Sequence, residues 1–108
     1  MVFKLPKPIT DYLDADKAKD ADRLALCFAG DALVHDEGRD YRGHDAIRSW
    51  KQESKGKCTY VVELLDASVT DKTTKLRARL TGDFPGSPVE LDYRFRVTND
   101  KIITLDIQ

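Results

Sequence analysis

Two stretches of strict alternation constrain this chain more than any other feature. Leu76, Ala78 and Leu80 alternate with Lys75, Arg77, Arg79 and Thr81, and Leu91, Tyr93, Phe95 and Val97 alternate with Glu90, Asp92, Arg94 and Arg96. Side chains along a strand point to opposite faces in turn, so each stretch has one apolar face and one charged face. That pattern fits a half-buried antiparallel strand. Tyr60, Val62 and Leu64 set against Val61, Glu63 and Leu65 predict a further strand covered on both faces, beginning near Cys58. A turn around Asp71-Lys72-Thr73 leads out of it, and Asn99-Asp100 predicts a tight turn into a last strand from Ile102 to Ile107. The opposed charges on the outer face, Arg77, Arg79, Glu90, Asp92, Arg94 and Arg96, predict cross-strand ion pairs.

An apolar sheet face needs cover, and the first half of the chain supplies it. Pro8 suits the first turn of a helix in which Ile9, Tyr12, Leu13 and Asp16 follow helical spacing. Asp20 is placed to cap a second helix with Ala21, Leu24, Ala25 and Phe28 as its apolar stripe, and Gly30 to end it in a left-handed conformation. A short strand, Ala32 to Asp36, follows, then the polar turn Glu37-Gly38-Arg39-Asp40 and a brief return at Tyr41-Arg42. Gly43 opens a third helix with Ile47 and Trp50 on its buried side, and Gly56 stops it. Helices leading into a long antiparallel sheet make an α+β domain. The expected architecture is three N-terminal helices packed on a strongly curved, mainly antiparallel sheet, with a cone-shaped hollow between the layers.

At 108 residues the chain suits one domain, 1–108. The formal net charge of −1 gives no electrostatic case for nucleic acid or an anionic membrane. The start, M-V-F-K-L-P-K-P-I-T, lacks the apolar run of a secretory signal, and no apolar stretch approaches the roughly 20 residues of a spanning helix. A soluble, cytoplasmic protein is expected. Cys27, on the second helix, and Cys58 have no second Cys or His at metal spacing, so free buried thiols and no metal site are expected, with a disulfide between the two left open.

The order of elements and the stretches G-D-A-L-V-H-D, R-G-H-D-A-I and T-G-D-F-P-G-S-P-V-E-L resemble the SnoaL-like polyketide cyclase branch of the nuclear transport factor 2 superfamily. The resemblance covers nearly the whole chain. It implies a ketosteroid isomerase-like cone, a homodimer formed through the outer sheet face, and a small, mostly apolar ligand bearing a carbonyl or hydroxyl. It further implies isomerase, cyclase or dehydratase chemistry without metal or organic cofactor. A non-catalytic ligand-binding or dimerisation module of the same fold is the alternative.

Asp36 matches by position the general base of the isomerase branch. A carboxylate at the edge of an apolar hollow is suited to accept and return a proton. The competing reading is an exposed strand-end acid bonded to a turn N–H, or paired with Arg39 or Arg42. Tyr12 resembles the isomerases' oxyanion tyrosine, and its bland alternative is an amphipathic ring at the helix–sheet boundary. Asp92 is tempting as the second acid, but strand phase puts it outward and Leu91 in the acid's place. Phe28, Trp50, Tyr60, Phe84 and Phe95 are candidate ligand walls, each equally a candidate for the core. Phe84-Pro85-Gly86-Ser87 fits a type II turn that would hold Phe84 at the cavity mouth. His35 should face away from Asp36 and bond across the sheet, and His44 should face solvent.

Overall fold

The computed structural model describes residues 5–57 (54–57 as backbone only), 60–70, 72–83 and 85–108. Among these, three helices and six strands run in the order α1 (Lys7–Lys17), α2 (Ala21–Ala25), β1 (Phe28–Asp36), β2 (Arg39–Arg42), α3 (His44–Lys57), β3 (Tyr60–Thr70), β4 (Thr73–Gly82), β5 (Val89–Thr98) and β6 (Lys101–Ile107). The strands form one open sheet in the order β2-β1-β6-β5-β4-β3. Every pairing is antiparallel except β1 with β6. The α+β class and the mainly antiparallel sheet agree with the sequence reading. The helices are not all N-terminal to the sheet, because α3 follows the β1–β2 hairpin.

Local chemistry accounts for most of the boundaries. Pro8 sits in the first turn of α1, where a missing N–H is harmless. The Asp20 carboxylate accepts from the Arg23 backbone N–H at 3.0 Å and starts α2. Asn99 and Asp100 both take positive φ (52° and 60°), as the two-residue turn between Thr98 and Lys101 requires. Gly43 also has positive φ (86°), its N–H donating to the Ala32 carbonyl at 2.9 Å as the chain enters α3.

The core gathers Ile9, Tyr12 and Ala15 of α1, Leu24 and Ala25 of α2, and Ile47 and Trp50 of α3. Against them pack Phe28, Ala32 and Val34 of β1, Leu76 of β4, Phe95 of β5 and Ile102 and Leu105 of β6. Tyr12 is held edge-on between Phe28 and Phe95, with ring centroids 5.9 and 5.4 Å away. The outer face carries the expected ion pairs, Arg77 with Asp92 at 3.0 Å and Arg79 with Glu90 at 3.3 Å.

Several boundaries differ from expectation. The second helix ends at Ala25, and Phe28 and Gly30 belong to β1, four residues ahead of the predicted Ala32 start. Long-range pairing outweighs helical spacing here: Phe28 is in register with Ile102, and the Ile102 N–H donates to the Cys27 carbonyl at 3.0 Å. Cys27 lies in the turn after α2, buried and free, with a thiol that burial pushes up. Gly56 does not stop α3, which runs to Lys57. β3 is not covered on both faces: it is an edge strand, Val61 is 70% exposed, and a bulge between Leu64 and Asp66 shifts its phase. Cys58, Asp71 and Phe84 lie outside the described residues.

Candidate functional site

A hollow of about 730 Å³ opens between α3, the β1–β2 hairpin and the ends of β3–β6. That volume is in the range of small-molecule sites, roughly 300–1,000 Å³. Asp36 stands on its wall. Strand parity explains why: Ala32 and Val34 are buried, so the next residue on that face, at the strand end, reaches the same side of the sheet. The indole N–H of Trp50 donates to Asp36 Oδ2 at 3.0 Å. The carboxylate is thus fixed by an aromatic donor on α3. Neither Arg39 nor Arg42 is the partner the structure gives it, and Arg42 Nη1 instead donates to the Asp31 carbonyl at 3.1 Å.

Aromatic surface surrounds this acid. Tyr41, Trp50, Tyr60 and Tyr93 all line the hollow, with the Tyr41 and Trp50 rings 6.1 Å apart. Leu80, Leu91 and Ile107 supply aliphatic wall, and Pro85 and Gly86 of the β4–β5 turn close one side. Gly86 has positive φ (87°), as the third position of a type II turn requires. Leu91 occupies the β5 wall, while Asp92 points outward to Arg77.

The candidates therefore divide. Asp36, Trp50 and Tyr60 come together around the hollow. Tyr12, Phe28 and Phe95 are not among its lining residues and sit in the core behind it. The Tyr12 ring is 2% exposed, and burial, followed by the charge of Asp16, pushes its phenol well above the ordinary value of 10.0.

Among the lining residues that the sequence reading did not single out, three carry polar or aromatic chemistry next to Trp50 or Tyr60: Tyr93, Tyr41 and Lys51. Tyr93 presents a phenol that burial pushes above its ordinary value. Tyr41 faces Trp50 from β2. Lys51 is the least expected: it is 4% exposed, its ammonium lies 3.1 Å from Asp16 Oδ1 and sits over the Trp50 ring at 4.4 Å and the Tyr12 ring at 5.6 Å. A signal existed for two of them. Tyr93 shares the inward phase of Leu91 and Phe95, and Lys51 follows Ile47 at the i+4 position that keeps one helix face.

The histidines lie outside the hollow's lining. His35 faces away from Asp36 and hydrogen-bonds the Asp40 carboxylate across the hairpin. That bond holds its imidazole above the ordinary value of 6.5. His44 does not face solvent as expected; its Nε2 bonds the Phe28 carbonyl at 2.7 Å, tying α3 to the start of β1. No group of three or more His, Cys, Asp or Glu positioned to hold a metal occurs among the described residues.

The SnoaL-like domain family matches residues 9–104. The chain belongs to that family. A Sinorhizobium meliloti protein named as a candidate polyketide cyclase is 40% identical, with 98% of this chain and 100% of that one covered and a TM-score of 0.93. A Catenulispora acidiphila protein with a ketosteroid isomerase-like fold, solved in complex with trimethylamine, is 19% identical over 97% of this chain and 86% of that one, TM-score 0.85. A Sphaerobacter thermophilus protein is 24% identical over 94% and 91%, TM-score 0.80. The last two show the fold alone. The comparison with curated proteins gave no match. The SnoaL-like domain thus has its fold in common with isomerase-like proteins, and its pocket chemistry rests on its own residues. Among the described residues, no helix is long and apolar enough to cross a membrane.

Proposed function

We propose that this SnoaL-like domain encloses a small, largely apolar molecule bearing a carbonyl or hydroxyl, and that Asp36 moves a proton on it. One observation carries the reading: a carboxylate on the wall of a hollow of about 730 Å³, oriented by an indole N–H and faced by aromatic and aliphatic side chains. As base, Asp36 takes a proton from the carbon next to the carbonyl. The C–H electron pair becomes a carbon–carbon double bond, and the carbonyl π pair moves onto oxygen. Returning the proton to a different carbon is isomerisation, attack of the enolate carbon on a second carbonyl is cyclisation, and expulsion of a β-hydroxyl as water is dehydration. The Trp50 N–H keeps the accepting oxygen aimed, and the flat rings of Trp50, Tyr41 and Tyr60 suit an unsaturated or fused-ring ligand. The name given to the Sinorhizobium meliloti relative supports the cyclase member of this set. In this reading Tyr12, packed edge-on against Phe28 and Phe95 in the core, supports the wall from behind. We further place a homodimer at the ion-paired outer sheet face, which sedimentation analysis would test.

The experiment needs no knowledge of the natural substrate. 2-Tetralone is incubated with the protein in deuterated buffer, and loss of its α-proton signals is followed by NMR. Wild type should accelerate exchange, and Asp36→Asn should lower that acceleration by about 10²- to 10⁴-fold, the usual worth of a positioned base. Equal exchange in both proteins, or exchange at the buffer rate in wild type, would assign the hollow to ligand holding without proton transfer by Asp36.

A further inference from the structure

A proton taken by Asp36 leaves negative charge on the ligand's oxygen, and something in the hollow must receive it. We propose that Lys51 is that group: its ammonium binds the ligand's oxyanion, so the pocket prefers enolisable carbonyl compounds and acidic phenols to their neutral isosteres. The inference deepens the reading of Asp36 as proton acceptor and depends on it.

Three observations converge on Lys51. First, it lines the same hollow as Asp36. Second, both groups are fixed by one side chain, since Trp50 donates its N–H to Asp36 at 3.0 Å and carries the Lys51 ammonium over its ring at 4.4 Å. A proton acceptor at the N–H edge and a cation over the ring face are thus held by one indole. Third, the cation is anchored before any ligand arrives, by Asp16 at 3.1 Å with the two side chains only 5% and 11% exposed. Arg39, the other cationic side chain of the hollow, stands exposed on β2 and lacks that burial.

A buried ion pair often gains little over apolar residues of the same volume, so stability alone is a weak reason for a lysine here. Its chemistry supplies a better one. An ammonium carries three N–H donors, and the contact with Asp16 takes up one direction. A fixed charge in a water-poor site stabilises developing charge without having to reorganise. The electrostatic balance also closes. Glu37, Glu53 and Arg39 also line the hollow, and proton transfer leaves their charges unchanged: it moves one negative charge from Asp36 to the ligand's oxygen, which then faces Lys51. Asp16 is then a positioning residue that acts through Lys51.

The test uses two probes of nearly equal shape, 4-nitrophenolate and 4-nitroanisole, at a pH where the first is ionised. Binding is measured by quenching of the single tryptophan, Trp50. Asp36→Asn serves as the starting protein, because a neutral side chain there stands for the base that has accepted its proton. The phenolate should bind about tenfold or more tightly than the anisole, as expected for one charge-assisted hydrogen bond in a buried site. Adding Lys51→Met together with Asp16→Asn, which removes both charges of the pair, should remove that preference while anisole binding persists and shows the fold intact. Equal affinities in the starting protein, or a preference that survives loss of Lys51, would overturn the inference and leave the pocket reading standing. Failure of both probes to bind wild type and Asp36→Asn would overturn the pocket reading, and the inference with it.

Discussion

Replacing Lys51 by Met tests how the back of the hollow is held. The substitution keeps most of the side-chain volume and removes the charge. Asp16 then keeps a carboxylate whose side chain is 11% exposed, without the ammonium now 3.1 Å away. Removing one partner of a buried pair costs about 3–5 kcal/mol, mostly from the charge left uncompensated. Exposure this low leaves little solvent screening to reduce the figure. Loss of the cation from the faces of Trp50 and Tyr12 acts in the same direction. Small domains have about 5–15 kcal/mol of total stability, so the variant should be near the edge of folding. With a urea slope of about 1–3 kcal/mol/M, the midpoint should fall by roughly 2 M. The double variant Asp16→Asn/Lys51→Met should recover most of that loss, because the buried carboxylate charge is removed together with the ammonium that faced it. A urea titration of the four proteins in the cycle gives the coupling directly. A single Lys51→Met variant within about 1 kcal/mol of wild type would refute the claim that this pair is desolvated.

Further outcomes follow from the same geometry. Phe95→Ala should cost about 3–5 kcal/mol in urea denaturation, since its fully buried ring supports both Tyr12 and Tyr93. Asp20→Ala should cost about 1 kcal/mol by the same assay through loss of the bond to the Arg23 N–H that caps α2. For His35, the bond to Asp40 raises the folded-state pKa above the unfolded value, so its contribution is fully present below the unfolded value and is lost as pH rises through the folded one. An NMR titration of the imidazole should therefore show a midpoint above 6.5 that drops in Asp40→Asn.

Parity was the most informative property of the sequence. It placed Asp36 and His35 on opposite faces, Asp92 outward and Leu91 inward, and each side chain lies where its phase put it. Period two is a local property, so residues alone reveal it. The start of β1 was not legible for the opposite reason. Ala25 and Phe28 continue a helical spacing, and the pairing of Phe28 with Ile102 comes from a strand more than 70 residues away. The bulge between Leu64 and Asp66 similarly depends on the β4 partner, which keeps Leu64 opposite Ala78 and moves Asp66 opposite Arg77. Of the residues lining the hollow, sequence reasoning named Asp36, Trp50 and Tyr60 and passed over Tyr41, Tyr93 and Lys51. A charged residue on an apolar helix face was read past, although Asp16 stands on the corresponding face of α1, four residues after Tyr12. Two such residues of opposite sign on facing helices are the signature of a buried pair, visible only once both helices are considered together.

The central claim is that a ligand sits in the hollow against Asp36 and Trp50. Because the chain has one tryptophan, its indole N–H gives a single resonance in a ¹H–¹⁵N spectrum, and that proton is the one bonded to Asp36. Titration with 2-tetralone should move this resonance together with those of Tyr60 and Leu91 while leaving the outer-face residues Arg77 and Arg79 in place. An indole signal that stays fixed to saturation, or shifts confined to the outer face, would contradict the account.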